Sequence, residues 1–470
     1  MDTPIFDGLK KYVEEGNISF HTPGHKGRNT LIDWGQYIPR IDLTEVEGLD
    51  NLQDPDGIIL ESQKLASDTF KSKATFYSVN GTTGSIYIAL GAITNPGDKV
   101  LIQRNSHKSV YNGIILNRLI PRYIYPNYNK KNKIVTGINP HDVETILKRD
   151  KDIKAVVITY PSYYGVCSPV KSIAEIVHRY NRILLVDEAH GSHLMFSEKL
   201  PISSIEAGAD IVVQSTHKTL PSFTQTSMIH VVSDRVDIEK LKSMLNLYQT
   251  TSPSYMFMAS LDIVRAYMER EGVDKLREHI ENLNEIVKDL KEIDRVSIFT
   301  GDEEDCTIED FDMTKVLINI KGIRGTTLEK ILRNKYHIQL EMSDYYYGLL
   351  LTTLMNTKGD LDLFKKAIEE IVSLESYEDM RQIDFGMIEP VVELPIGEAF
   401  YREKQVVELE KAIGKISADY IIPYPPGIPI VIPGEVITYE IYKEVLNLSQ
   451  NGVEIIGPLD YNRGKIRLVK

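Results

Sequence analysis

At 470 residues the chain exceeds what one ordinary hydrophobic core can serve, so two or more packed units are expected. Its composition, 42% hydrophobic and 26% charged, is that of a soluble globular protein, and a net charge of −13 argues against nucleic acid as the main partner while tolerating a cationic ligand. The two cysteines, Cys167 and Cys306, lie far apart without metal spacing, which excludes a disulfide framework and suits a reducing cytoplasm.

The start, Met1-Asp2-Thr3-Pro4, lacks the basic and apolar regions of a secretory signal. No run approaches the roughly 18 apolar residues of a membrane span. Residues 1–50 read as an irregular arm containing His21-Thr22-Pro23-Gly24-His25-Lys26-Gly27. From about 74 to 232, short β-rich runs alternate with helical patterns, the signature of a mostly parallel sheet covered by helices. Strands are predicted at Thr75–Val79, Lys99–Gln103, Ala155–Tyr160, Ile183–Asp187, Ile211–Gln214 and Met228–Val232, with helices from the Asn80–Ser85 turn to Ile93 and over Ser106–Leu116. Leu276, Ile280, Leu283, Val287 and Leu290 mark one face of a long helix, at which the pattern changes. A smaller α+β unit follows, with elements at Lys315–Ile320, Thr326–Lys335, Ile338–Met342, Leu349–Leu354 and Asp360–Leu374. A polar stretch after Ser376 leads to a final region whose Tyr424–Glu435 block is too rich in proline for a helix or central strand. The expected division is an arm over 1–50, a large α/β unit over 51–272, a small α+β unit over 273–375 and a C-terminal region over 376–470.

Several features could carry chemistry. Asn80-Gly81-Thr82-Thr83-Gly84-Ser85 joins a strand to a helix, where hydroxyls and backbone N–H groups can hold a phosphate, although such a turn alone reads equally as a plain helix cap. Arg104-Asn105-Ser106-His107-Lys108-Ser109 puts an imidazole at a strand end, where it could stack on a planar ligand or simply line a polar turn. The buried strand Leu184-Leu185-Val186 ends in Asp187-Glu188-Ala189-His190, and the carboxyl ends of strands are where open α/β sheets bind ligands. A carboxylate there can keep a pyridinium nitrogen protonated. Asp-Glu-Ala-His also occurs in nucleic-acid-dependent ATPases, but the G-x-x-x-x-G-K-[ST] phosphate loop of that class is missing. Gln214-Ser215-Thr216-His217-Lys218 places a lysine at another strand end. Partial burial beside cationic groups would depress its pKa and make the amine nucleophilic. No metal is expected: Pro23 and Gly24 separate His21 from His25, and His190 and His193 lack a partner pair.

Taken in order, Thr22–Gly27, Asn80–Thr83, Arg104–Ser109, Asp187–Gly191, Ser215–Lys218 and Tyr424–Glu435 resemble the Orn/Lys/Arg decarboxylases. These are pyridoxal 5′-phosphate (PLP) enzymes of fold type I, with an aspartate aminotransferase-like α/β large domain, a mostly parallel sheet and a smaller α+β C-terminal domain. The likeness is strongest to the short bacterial arginine decarboxylase branch, which lacks the N-terminal wing domain of the larger enzymes. It implies that Lys218 carries PLP as a Schiff base, that Asp187 holds the ring nitrogen and that His107 stacks on the ring. It further implies that Thr82, Thr83, Ser215 and His217 hold or flank the phosphate, with Gly84 and Ser85 in the same turn, while Ala189 and His190 flank the ring's other side. Thr219-Leu220-Pro221 departs from the Gly-rich form of some relatives, which bears on pocket shape.

The reaction implied is decarboxylation of a basic L-amino acid, arginine to agmatine, in a cytoplasmic homodimer serving polyamine biosynthesis. Lysine to cadaverine, ornithine to putrescine, and a silent PLP-binding regulator are the alternatives, the regulator being disfavoured by the intact Lys218, Asp187 and His107. Lys218 or His107 would return the proton. Glu341, Asp344, Glu398 and Glu435 are the carboxylates considered for the substrate's distal cation, which a carboxylate can accept in a bidentate fashion.

Overall fold

The computed structural model describes residues 3–28, 31, 33–38, 40–374, 388–424, 429–450, 453–457 and 464–470. The polar stretch from Ser376 and residues 425–428 of the proline-rich block therefore lie outside the described residues.

The continuous apolar runs form one seven-stranded sheet: β1 (Ala74–Ser78), β2 (Lys99–Gln103), β3 (Ile120–Ile124), β4 (Ile153–Thr159), β5 (Ile183–Asp187), β6 (Ile211–Gln214) and β7 (Ser227–Val231), in the order β1-β7-β6-β5-β4-β2-β3. Only β7 runs antiparallel to its neighbours. Val156, Ile158, Leu184, Val186 and Val212 feed one buried core, while Ala155, Val157, Leu185, Ile211 and Val213 feed another on the opposite face. Both faces are covered, and that is why these strands read as unbroken apolar runs. The expected strands are present, shifted by a residue or two at their ends. β3 was not foreseen, because Ile120-Pro121-Arg122-Tyr123-Ile124 is a partly exposed edge strand containing proline. The helix expected from Ser106 starts at Lys108, because His107 is extended and caps it by accepting from Ser109 N.

The changeover expected at 273 falls within a helix. Tyr255–Tyr267 runs through a π-helical turn, Met268–Gly272, into Val273–Lys291. Leu276 and Ile280 belong to the large unit's core, whereas Leu283, Ile286 and Leu290 belong to that of the second unit. The second unit's sheet contains β8 (Val296–Phe299), β9 (Lys315–Ile320), β10 (Met342–Ser343) and β11 (Gly348–Leu351), ordered β8-β9-β11-β10. A C-terminal unit pairs Lys404–Glu408 with Lys465–Val469 and packs Leu409, Ile421, Val431, Ile437, Ile441 and Val445 into a core of its own. Among the described residues, no helix is long and apolar enough to cross a membrane.

The first 50 residues are less irregular than expected. Pro4–Glu14 is a helix with proline in its first turn, and Ile18–Phe20 pairs in parallel with Ile338–Leu340 of the second unit. Residues 21–28 then act as a strap between units. Gly24 N donates to His217 O (2.7 Å), Thr353 Oγ1 donates to Gly24 O (2.7 Å), and the buried Lys26 ammonium reaches His21 O (2.7 Å) and Leu351 O (2.8 Å). A Cβ on Gly24 would stand 2.5 Å from Leu220 O, which is backbone and cannot swing aside. Gly24→Ala is accordingly expected to cost roughly 1–3 kcal/mol through forced displacement of the segment after Lys218, measured as a lowered urea midpoint.

Candidate active site

The site forms where β4, β5 and β6 end. β6 stops at Gln214, and the following one-turn helix, α1 (Thr216–Thr219), sets Lys218 Nζ 3.0 Å from His190 Nε2. Lys218 is half-buried, and its pKa is lowered by burial and by Lys315, against the pull of Asp187 and Glu341. Asp187 is the last residue of β5, beside Val213 of β6, and its Oδ1 accepts from Ala189 N at 3.2 Å. Burial pushes the Asp187 carboxyl up to about 6, although Lys218 and the Ala189 N–H act in the other direction.

Three imidazoles here have pKa values pushed down. Burial, with Lys218 and Lys315 nearby, holds His190 well below its ordinary range, and the Tyr163 ring meets it edge-on at 4.7 Å. His107 is lowered to about 4 by burial, Lys218 and Lys108, and its Nδ1 is tied to Ser109 Oγ at 2.8 Å, although part of the residue is exposed. His217 is lowered to about 4, chiefly by burial, and turns toward Thr226 O (2.8 Å) rather than toward His190.

A hydroxyl cluster lies beside the lysine. Thr82 Oγ1 is 2.5 Å from Ser215 Oγ and 3.2 Å from Ser227 Oγ, which is itself 2.9 Å from Ser85 Oγ. It sits at the N-terminus of the helix Gly81–Ile93, whose dipole favours an anion, while the Gly81 N–H is given to Gln225 O at 2.9 Å. Gly81 there has φ +65°, and a Cβ on Gly84 would stand 2.7 Å from Asn80 Cβ, so both glycines serve the tight turn. Thr83 exposes its side chain, and Ala189 is buried beside Asp187.

The four candidate carboxylates separate cleanly. Glu341 acts electrostatically on Lys218, with Oε2 accepting from Thr22 N (2.7 Å) and Oε1 from Tyr163 OH (2.5 Å). Asp344 is taken up by Tyr164 OH (2.6 Å) and by the N–H groups of Tyr346 and Tyr347, so it fixes a turn. Glu398 pairs with Arg402 on the surface, and Glu435 is buried against Arg104. Sequence reasoning missed Tyr163, Ser227 and the Thr22 contact; the aromatic cluster Tyr160-Pro161-Ser162-Tyr163-Tyr164 after β4 was the available signal.

The donor set suits a phosphorylated, planar, aromatic carbonyl compound such as PLP. A lysine amine, an acceptor at a strand end, an imidazole and a hydroxyl-lined helix N-terminus all converge. Buried polar atoms without a protein partner concentrate here too: Asn105 Oδ1, Ser106 Oγ, Thr159 Oγ1, His190 Nδ1 and Thr216 Oγ1 all follow or end β2, β4, β5 and β6.

The chain matches the family described as Orn/Lys/Arg decarboxylase, major domain, over residues 3–311, and the C-terminal domain of the same family over 396–452. It is 35% identical to a protein named arginine decarboxylase from Bacillus subtilis (strain 168), covering 100% of this chain and 98% of that one. The solved structure of the Escherichia coli constitutive lysine decarboxylase superposes with a TM-score of 0.78 at 21% identity, covering 100% of this chain and 82% of that one. A Bacillus subtilis ureidoglycine–glyoxylate aminotransferase superposes with a TM-score of 0.56 at 15% identity, over 74% of this chain and 93% of the other. The fold is that of the fold type I class, α/β with a mostly parallel sheet and a separate C-terminal domain.

Proposed function

The chain belongs to the Orn/Lys/Arg decarboxylase family, and on that footing we propose that it decarboxylates a basic L-amino acid, arginine before lysine or ornithine, with PLP carried on Lys218. The observation that carries this reading is the convergence of Lys218, the buried Asp187 and the neutral His190 at the ends of two adjacent strands. When bound, PLP supplies a conjugated electron sink for the pair left behind as the carboxylate departs.

The chain's own residues do the rest. Lys218 would hold the cofactor through its amine, Asp187 would accept from the ring nitrogen, and His107 and Ala189 would flank the ring. Thr82, Ser85 and Ser215, with the N–H groups opening the helix Gly81–Ile93, would take the phosphate, and His217 backs that turn from outside. His190, being neutral, can accept a hydrogen bond from Lys218 Nζ at Nε2 and so orient the amine. Lys218 Nζ and the His107 imidazole are the groups able to return a proton to the substrate's α-carbon.

Glu341 is the carboxylate we assign to the substrate's distal cation. Each of its oxygens keeps a lone pair beyond those used by Thr22 and Tyr163, so it can still accept from a guanidinium. Glu341→Gln is expected to raise KM for arginine by roughly 10- to 100-fold with a smaller change in kcat. An unchanged KM would remove Glu341 from the substrate site.

The deciding assay supplies arginine, lysine and ornithine with and without PLP and identifies the amine and CO2 released. PLP-dependent agmatine as the main product is expected, and no CO2 from any of the three would overturn the reading. A dimer-based assembly in the cytoplasm, feeding polyamine synthesis, completes the proposal, and sedimentation checks the assembly.

A further inference from the structure

Lys315 opens β9 of the second unit and is fully buried, as is Asp312. Its ammonium is ion-paired with the Asp312 carboxylate and donates to the backbone carbonyl of His190 at 3.1 Å. Asp312 also accepts from Thr314 N (3.0 Å) and Thr314 Oγ1 (2.7 Å), and His193 Nε2 lies 3.3 Å away. The lysine stem runs against Gly165, where a Cβ would stand 3.2 Å from Lys315 Cβ and 3.0 Å from Asp312 O, so the missing side chain leaves room for the pair.

A buried ion pair is a poor device for stability, since apolar side chains of similar volume fill such space without the desolvation cost. The placement gives it a different use. The residue whose carbonyl Lys315 grips, His190, presents its imidazole to Lys218 on the other side. Around the Lys218 amine stand Asp187 from β5, His190 from the following loop, His107 from the start of the helix Lys108–Leu116, Glu341 from the second unit, and Lys315. Asp187 and Glu341 favour the ammonium form; burial and Lys315 favour the free amine. Lys315 lowers the Lys218 pKa, while at His190 the Asp312 carboxylate works against it.

We propose that Lys315 is a positioning residue, which fixes His190 against Lys218 and supplies the standing positive charge beside which Lys218 gives up its proton. The second unit thereby contributes to the reactivity of a lysine carried by the first. The proposal rests on Lys218 being the reactive amine, which is tested separately. PLP followed by borohydride joins the Lys218 nitrogen to the aldehyde carbon with loss of water, then reduces the C=N bond to a stable amine. An unmodified Lys218 peptide in the wild-type protein would defeat that reading alone.

The test of Lys315 needs no amino-acid substrate. Cofactor-free protein is treated with a small acylating reagent across pH, and the Lys218 peptide is followed by mass spectrometry alongside thermal melting. The neutral pair Lys315→Gln with Asp312→Asn keeps hydrogen-bonding capacity without charge. It is expected to fold but to slow Lys218 labelling at neutral pH by roughly three- to tenfold, with the labelling curve displaced to higher pH. Lys315→Arg keeps the charge and is expected to stay within about twofold of wild type. If the neutral pair fails to fold, Lys315→Met with Asp312→Leu refills the space and carries the same expectation. Wild-type labelling in a folded neutral variant, or labelling in Lys315→Arg as slow as in the neutral variant, would overturn the proposal.

Discussion

Lys218→Ala is expected to lower kcat by at least about 10³-fold and to abolish covalent retention of PLP, with little change in thermal stability. The chain also holds the buried lysines Lys26 and Lys315, and the structure separates them from Lys218 by their partners. Lys26 is clamped by two backbone carbonyls and Lys315 by a carboxylate and a carbonyl, whereas Lys218 faces a neutral imidazole. A lysine bound only to a neutral nitrogen is free to turn and attack; one held between oxygens must first break those bonds. The variant also carries an electrostatic signature. Lys218 pulls the Asp187 carboxyl down from where burial would put it, so removing Lys218 should move Asp187 above its value of about 6. Carbon-13 NMR of aspartate-labelled, cofactor-free protein would read that shift, and absorbance and CO2 release would read the loss of function. Retention of covalent cofactor and turnover within tenfold of wild type would hand the role to another lysine.

The strand readings that the structure bears out were of features local in sequence. β5 and β6 are uninterrupted apolar runs, and the residues that end them, Asp187 and the Ser215–Lys218 turn, fall where parallel sheets collect ligands. What stayed hidden came from elsewhere in the chain. Thr22 and Lys315 reach the site from the strap and the second unit, and no spacing in the sequence announces that they will meet Glu341 and His190. Lys315 reads as an ordinary polar residue at the start of an apolar strand until His190 O is placed beside it. The long helix obscured the boundary between units for a similar reason: its apolar periodicity is continuous while the core it faces changes between Ile280 and Leu283. Asp344, Glu398 and Glu435 show the limit in reverse, because a carboxylate's chemistry is legible in sequence whereas its partner is not.

Glu435 was a substrate candidate, and its partner points to a different experiment. Arg104 and Glu435 are 2% and 1% exposed, with guanidinium and carboxylate in contact at 2.9 and 3.2 Å. The guanidinium also donates to Pro429 O (3.2 Å) and Ile430 O (3.1 Å) of the C-terminal unit, and to Tyr111 OH (2.9 Å) of the large one. Glu435 accepts a further bond from Ile432 N at 2.9 Å, so its carboxylate is engaged within the protein on both oxygens. This pair is the clamp between the two units, built from the described part of the proline-rich block. Glu435→Ala leaves a buried guanidinium unpaired and is expected to cost about 3–5 kcal/mol, whereas Arg402→Ala, which breaks an exposed pair with Glu398, should cost no more than about 1 kcal/mol. Replacing both partners, Arg104→Met with Glu435→Leu, removes the unpaired charge as well as the pair, so most of the lost stability should return. Urea denaturation of the four proteins measures the totals, and hydrogen exchange locates them. If the clamp is what seats the C-terminal unit, the extra exchange in Glu435→Ala will concentrate in residues 429–450 and spare β5 and β6. Uniform acceleration across both units would mean instead that Arg104 and Glu435 support the whole fold.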